Sequence, residues 1–397
     1  MRIFLTITFG FFALLGFSQV NFIKHDAKKI EANKIALKAN RQNFAEAYNQ
    51  LLHAADHLLL AKPPSVTYKE MTPPSGDKHD YMSMPRYWWP DSLKLDGLPY
   101  IRRDGLPNPE LEKLDRTRLG EFCNAVSLLG WAYYFSNDEK YAKKAAEFLN
   151  VWFIDPKTRM NPNMKYGQTI PGRSNGTGRG AGILDAYGFI DVIETVQILK
   201  TSKSFSEADK KSIKNWFSEF AVWLETHPIG LEEKAAKNNH GVAYDVQIAC
   251  YYRFVGRDED AKKIISDFPK DRTFKQIEPD GRQPLELERT ASFGYTVFNL
   301  MHIMDICDMA KNMNMDIFNA TSSDGRSIVK AIDFVAPYLG KNQREWRYEQ
   351  IQDWGGRQDD FAKVLLRADR FAPQKKYAER ANSFLKNKKT TWEILLQ

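Results

Sequence analysis

Ile213, Trp216, Phe217, Phe220 and Leu224 recur at i, i+3, i+4, i+7 and i+11, with Lys214, Asn215, Ser218 and Glu219 among the residues between them. That spacing lines one face of a 3.6-residue helix and predicts an amphipathic α-helix with a single apolar stripe. Comparable stripes cover residues 26–61, 116–153, 180–200, 238–256, 284–314, 326–338 and 357–387, whereas alternating strand patterns are scarce. Short polar turns separate neighbouring stripes, among them Phe135-Ser136-Asn137-Asp138 and Val255-Gly256-Arg257-Asp258. Stripes joined this way predict antiparallel helix hairpins stacked on one another. The fold class is all-α.

Two long segments break the rhythm. Residues 62–115 hold much of the proline together with Tyr81, Tyr87, Trp88, Trp89 and Tyr100, and residues 155–180 run through MNPNMKYGQTIPGRSNGTGRG. Loops of that length inside a compact domain are usually functional or disordered. Their aromatic content argues for order, so both are read as cleft walls or a lid.

The first 19 residues follow another pattern. Met1-Arg2 is a short positive start, Ile3 to Phe17 is apolar, and Gly16, Ser18 and Gln19 are small or polar. This predicts a secretory signal peptide, too short for the ~20 apolar residues of a membrane span and without a following cysteine for lipid attachment. Residues 20–397 are then expected as a single exported domain, periplasmic or secreted, with no stable membrane insertion. Cys123, Cys250 and Cys307 are three in number and each sits among apolar residues, as buried thiols do. No Cys/His grid suggests zinc. The net charge of +7 points an exported protein towards an anionic partner such as an acidic polysaccharide. Without a dense Lys/Arg run, nucleic acid is not expected.

Candidate chemistry concentrates in two places. Lys237-Asn238-Asn239-His240-Gly241 opens a helical stripe, where asparagine caps a helix on structural grounds alone. Gln283-Pro284-Leu285-Glu286-Leu287-Glu288-Arg289-Thr290 leads into Ala291-Ser292-Phe293-Gly294-Tyr295. Arg289 and Tyr295 are six residues apart, so on an ideal helix they point roughly 120° apart unless the helix is locally broken.

Asn239-His240 followed by the run from Arg289 to Tyr295 resembles the alginate lyase superfamily of polysaccharide lyases. HDYMSMPRYWWPD (79–91), DGLPYIRRDGLPNPE (96–110), GRSNGTGRGAGILDAYG (172–188), DGRQPLELERT (280–290) and EQIQDWGG (349–356) resemble its family 38 most closely. The likeness spans residues of about 60–360. It implies an incomplete (α/α) toroid that cleaves uronic-acid polymer without a metal or other cofactor.

The chemistry explains the residue types. A lyase removes the C5 proton of a uronate and expels the O4-linked sugar, leaving a C4=C5 double bond. The carboxylate beside C5 must first be neutralised, and preorganised donors supply that. Asn239 and Arg289 suit the task, and His240 adds a third donor or a base. Arg289 is also the cation expected to favour the Tyr295 phenolate and lower its pKa. In mannuronate and glucuronate the C5 hydrogen and O4 lie on one side, so Tyr295 is expected to serve as base and acid in a syn elimination. Guluronate presents them on opposite sides and would need His240 as base.

Tyr81, Trp88 and Trp89 are candidates to stack on sugar faces, and Arg173, Asn175 and Arg179 to bind neighbouring carboxylates. Lys78, His79, Trp354 and the run Arg344 to Tyr348 are weaker candidates. His53 and His57 have the i, i+4 spacing of helical metal ligands but lack the glutamate of HExxH. A glycoside hydrolase would need two opposed carboxylates, drawn from Glu286, Glu288, Asp353, Asp359 and Asp360. A periplasmic glycan-binding protein would need neither His240 nor Tyr295.

Overall fold

The computed structural model describes residues 20–39, 42–386, 388 and 391–396, so the expected signal peptide lies outside the described residues. Helices α1 (Ala27–Lys38) and α2 (Gln42–Leu59) precede a hairpin of α3 (Asp115–Ser136) and α4 (Glu139–Leu149). Asn137 closes that hairpin in the left-handed region at φ 56°, and Asp138 caps α4 by accepting the Lys140 N–H. Next come α5 (Phe189–Leu199), α6 (Glu207–Thr226), α7 (Pro228–Lys234), α8 (Asn239–Val255) and α9 (Asp258–Phe268). The chain ends with α10 (Phe274–Gln276), α11 (Pro284–Leu287), α12 (Ser292–Asn312), α13 (Ile328–Val335), α14 (Trp354–Ala368) and α15 (Tyr377–Leu385).

The helices form two rows. In the inner row α3, α5, α8, α12 and α14 each pack on the next. Every residue of α5 except Asp191 is buried, and α8 and α12 are buried over most of their surface. Helices apolar or buried on all faces belong inside a structure. Amphipathic α4 and α9 cover α3 and α8 from outside, as α15 covers α14. One hydrophobic core runs from Phe22 to Leu395, with Phe122 stacked on Trp152 at 4.6 Å. The three cysteines are buried in it, and burial pushes their thiols well above the ordinary range. Among the described residues no helix is long and apolar enough to cross a membrane.

Several stripes differ from single helices. Residues 180–200 begin as a 3-10 run, Gly180–Gly188, before α5. Residues 357–387 split into α14 and α15 around Pro373. Residues 284–314 are broken between α11 and α12, because the backbone there pairs with another segment. The Ser292 N–H donates to the Glu349 carbonyl and the Ile351 N–H to the Thr290 carbonyl, both at 3.0 Å.

Both long loops are ordered walls. The first carries a two-stranded antiparallel hairpin, β1 (Trp88–Trp89) with β2 (Ile101–Arg102), in which Trp88 faces Arg102. It is laced to the second loop by the Ser83 N–H on the Tyr166 carbonyl (3.1 Å) and the Thr169 N–H on the Ser83 carbonyl (2.8 Å).

Candidate active site

The two loops, the corner between α7 and α8, the α11–α12 break and the start of α14 surround a cavity of about 780 Å³. Asn239, His240, Arg289 and Tyr295 all line it, although Asn239 and Tyr295 are 56 positions apart in the chain.

Asn238 caps α8 by accepting the His240 N–H at 3.3 Å, which places Asn239 and His240 in the first helical turn. Gly241 is required behind them, since a Cβ there would sit 2.1 Å from the Ala236 carbonyl oxygen and 2.3 Å from Arg272 Nη1. Asn239 is fully buried and is held by Glu286, which accepts both its backbone N–H and its Nδ2 at 2.7 Å. Nδ2 carries two hydrogens, so one remains beside that bond. His240 Nδ1 lies 2.6 Å from Glu233 Oε1, and Glu233 is 2% exposed. A carboxylate on Nδ1 selects the tautomer protonated there and leaves the Nε2 lone pair available.

The broken helix resolves the Arg289–Tyr295 spacing. With α11 ended and α12 restarted, Arg289 Nη2 donates to the Tyr295 hydroxyl at 2.7 Å and its guanidinium carbon stands 3.8 Å from the ring centroid. The Tyr295 hydroxyl in turn donates to the Tyr87 hydroxyl at 3.2 Å. Asp104 grips the other side of Arg289, accepting from Nε at 3.3 Å and Nη2 at 2.9 Å. Arg289 therefore acts first on the phenol.

One expectation is overturned. Burial and the hydrogen bond with Tyr87 push the Tyr295 phenol above its ordinary range, and the opposing pull of Arg289 is smaller. The lowering expected from Arg289 is present but outweighed, so the resting phenol is protonated.

The cavity wall is cationic. It presents Arg86, Arg102, Arg116, Arg179, Arg289 and Arg357 against Glu232, Glu233 and Asp353. Arg116 meets Asp185 at 3.5 Å and lines the cavity. Arg179 lines the cavity as expected, donating to Gln168 Oε1 at 2.7 Å. Trp88 lines it too, with the exposed Arg173 guanidinium 5.0 Å above its ring.

Other expected contacts fall elsewhere. Tyr81 is 0% exposed, a core residue whose hydroxyl donates to Asp185 at 3.1 Å, so it stacks on no sugar. Trp89 points away from the cavity, as strand alternation beside Trp88 requires, and donates to the Leu106 carbonyl. Asn175 is an exposed left-handed turn residue (φ 50°) outside the cavity wall. Lys78, His79 and Trp354 donate to or meet the backbone carbonyls of Lys69, Arg159 and Lys341, also outside the wall. Trp346 is buried in the core, and Arg344 and Tyr348 flank a separate shallow pocket. His53 and His57 meet at 3.2 Å on the exposed face of α2, and no third ligand-type residue joins them among the described residues. Of the hydrolase carboxylates only Asp353 lines the cavity, paired to Arg357 at 3.1 Å.

Sequence reasoning missed the holders. Glu233 and Arg116 stand in no quoted motif, and Asp104, though inside DGLPYIRRDGLPNPE, meets Arg289 across 185 positions. Tyr87 and Glu286 lay inside quoted motifs, yet their roles appear only through their contacts.

An imidazole with a free nitrogen and a protonated phenol, set in an arginine-lined cleft between helical rows, describes an acid–base enzyme for an anionic substrate. A family model for alginate lyase matches residues 65–346. A crystal structure of an alginate lyase from Bacteroides ovatus is 50% identical, with a TM-score of 0.93 over 95% of this chain and 99% of that one. Alginate lyase A1-III from Sphingomonas species A1 is 15% identical, with a TM-score of 0.60 over 96% and 97% of the two chains. A tyrosine-to-phenylalanine variant of A1-III complexed with tetrasaccharide superposes at 0.58, with 15% identity over 89% and 90%. No curated protein sequence matches. The chain belongs to the alginate lyase family and is a polysaccharide lyase.

Proposed function

We propose that this lyase, of the family 38 type, cleaves mannuronate-rich alginate or glucuronan by metal-independent syn β-elimination, leaving a 4,5-unsaturated uronate end. The observation that carries the mechanism is geometric: Glu233 on His240 Nδ1 leaves Nε2 free as a base, while Arg289 bonds the Tyr295 oxygen at 2.7 Å. With its resting proton taken up by His240 Nε2, the Tyr295 oxygen removes the C5 proton on the face that this proton shares with O4 in mannuronate and glucuronate. Tyr295 gives its proton to the departing O4, and Arg289, already bonded to the phenol oxygen, stabilises the phenolate as it forms. The remaining Asn239 N–H and the Arg116 fork neutralise the uronate carboxylate, and Trp88, Arg173 and Arg179 bind flanking sugars. Tyr295 thus keeps the base-and-acid role first expected of it, with His240 as the base that primes it.

The lengths of the two flanking loops and the cationic wall suit a polymer, and the oligosaccharide bound in the A1-III variant supports an extended sugar ligand. Residues 20–397 act as one exported catalytic unit, periplasmic or secreted after loss of residues 1–19, with the inner helix row curved as an incomplete toroid. The test is a panel of polymannuronate, polyguluronate, glucuronan and glycosaminoglycans, read by the ultraviolet absorbance of the new double bond. Activity on the first or third and little on polyguluronate is expected; equal cleavage of polyguluronate would refute the syn assignment. Reducing ends without absorbance would mark a hydrolase, and binding with neither a carrier.

A further inference from the structure

We propose that Asp104 is a positioning residue for the reaction: reaching in from the long 62–115 loop, it holds the Arg289 guanidinium across Tyr295, so that seating this loop completes the acid. The inference rests on Tyr295 acting as proposed above.

The geometry is a two-point clamp. Asp104 Oδ1 accepts from Arg289 Nη2 (2.9 Å) and from Arg102 Nη2 (2.6 Å), and Oδ2 accepts from Arg289 Nε (3.3 Å) and Thr290 Oγ1 (3.0 Å). Gripping Nε and Nη2 together fixes rotation of the planar fork, which a single bond would leave free. The same Nη2 then stands 2.7 Å from the Tyr295 oxygen. Burial pushes the Asp104 carboxyl upward, but its hydrogen bonds from Arg289 and Arg102 outweigh that and hold it below the usual carboxylate range. The clamp thus stays charged at any working pH.

The loop supplies the other side of the phenol as well. Tyr87 accepts the Tyr295 hydroxyl, and the Arg103 N–H donates to the Tyr87 carbonyl at 2.7 Å, tying Tyr87 to Asp104 through the hairpin. Gly105 allows the close seat: it turns at φ 78°, and a Cβ there would fall 2.2 Å from Ile351 Cδ1 and 2.9 Å from Thr290 Oγ1. Displacing a reacting group by an ångström costs about 10²-fold in rate.

The test is a double-mutant cycle on kcat. Asp104→Asn turns an amide donor against the guanidinium and is expected to lower kcat about 10²-fold while leaving KM close to wild type. In an Arg289→Ala background the same substitution is expected to change kcat little, since residues acting through one another are not additive. Near-normal kcat in Asp104→Asn, or an equal loss in both backgrounds, would overturn the role. Should Asp104→Asn fail to fold by circular dichroism, Gly105→Ala probes the same seat with the same expectations in both backgrounds. Tyr295→Phe runs alongside: if it stays active the Tyr295 role proposed above fails, whereas an inactive Tyr295→Phe beside an unaffected Asp104→Asn removes only the Asp104 role.

Discussion

Tyr295→Phe deletes one oxygen at the point where three residues converge. The hydroxyl accepts from Arg289 at 2.7 Å and donates to Tyr87 at 3.2 Å. Removing it leaves Arg289 anchored by its two bonds to Asp104, so the guanidinium keeps its place. Tyr87 is only partly buried and regains a partner from water. The cost to folding is therefore about one hydrogen bond, on the order of 1 kcal/mol. The cost to catalysis is a general acid, typically 10²–10⁴-fold, or about 3–5 kcal/mol of barrier. Steady-state kinetics by ultraviolet absorbance should show kcat falling by that factor with KM little changed, and thermal melting should stay near wild type. Retention of kcat within about tenfold would refute the assigned proton transfer. A collapse in melting temperature would show that the hydroxyl serves the fold instead.

Glu233→Gln should lower kcat by roughly 10²-fold without unfolding the chain, because Nδ1 of His240 loses the charge that sets its tautomer; unchanged kinetics would remove His240 as base. Trp88→Ala should raise KM by roughly 3- to 10-fold, the worth of one aromatic contact, while Trp89→Ala should leave it unaltered, and equal effects would contradict the alternation. Burial raises Glu194 from 4.5 to about 7, against the N–H groups of Lys24 and Ile23 that favour its ionised form. The folded state thus prefers the protonated acid: its contribution is full below about pH 4.5 and is lost as pH rises through about 7, worth roughly 3 kcal/mol. Glu194→Gln should flatten that part of the pH dependence of the melting temperature; parallel curves for both proteins would disprove it.

What the sequence determined by itself was whatever depends on near neighbours. Periodicity marked α8 almost to its ends and α6 from Ile213 to Leu224, because helix burial repeats every 3.6 residues. Local motifs marked Asn239, His240, Arg289 and Tyr295, since each pair sits within a short stretch of chain. The break that lets Arg289 meet Tyr295 was not legible, because it comes from pairing of residues 290–292 with 349–351. Tertiary structure alone decided which carboxylate holds each working side chain: Glu233 for His240, Glu286 for Asn239, Asp104 for Arg289. It also buried Tyr81, exposed Asn175 and set the proton on Tyr295. Charge states and partners follow from desolvation and distance in space, and a linear order of residues fixes neither until the chain has folded.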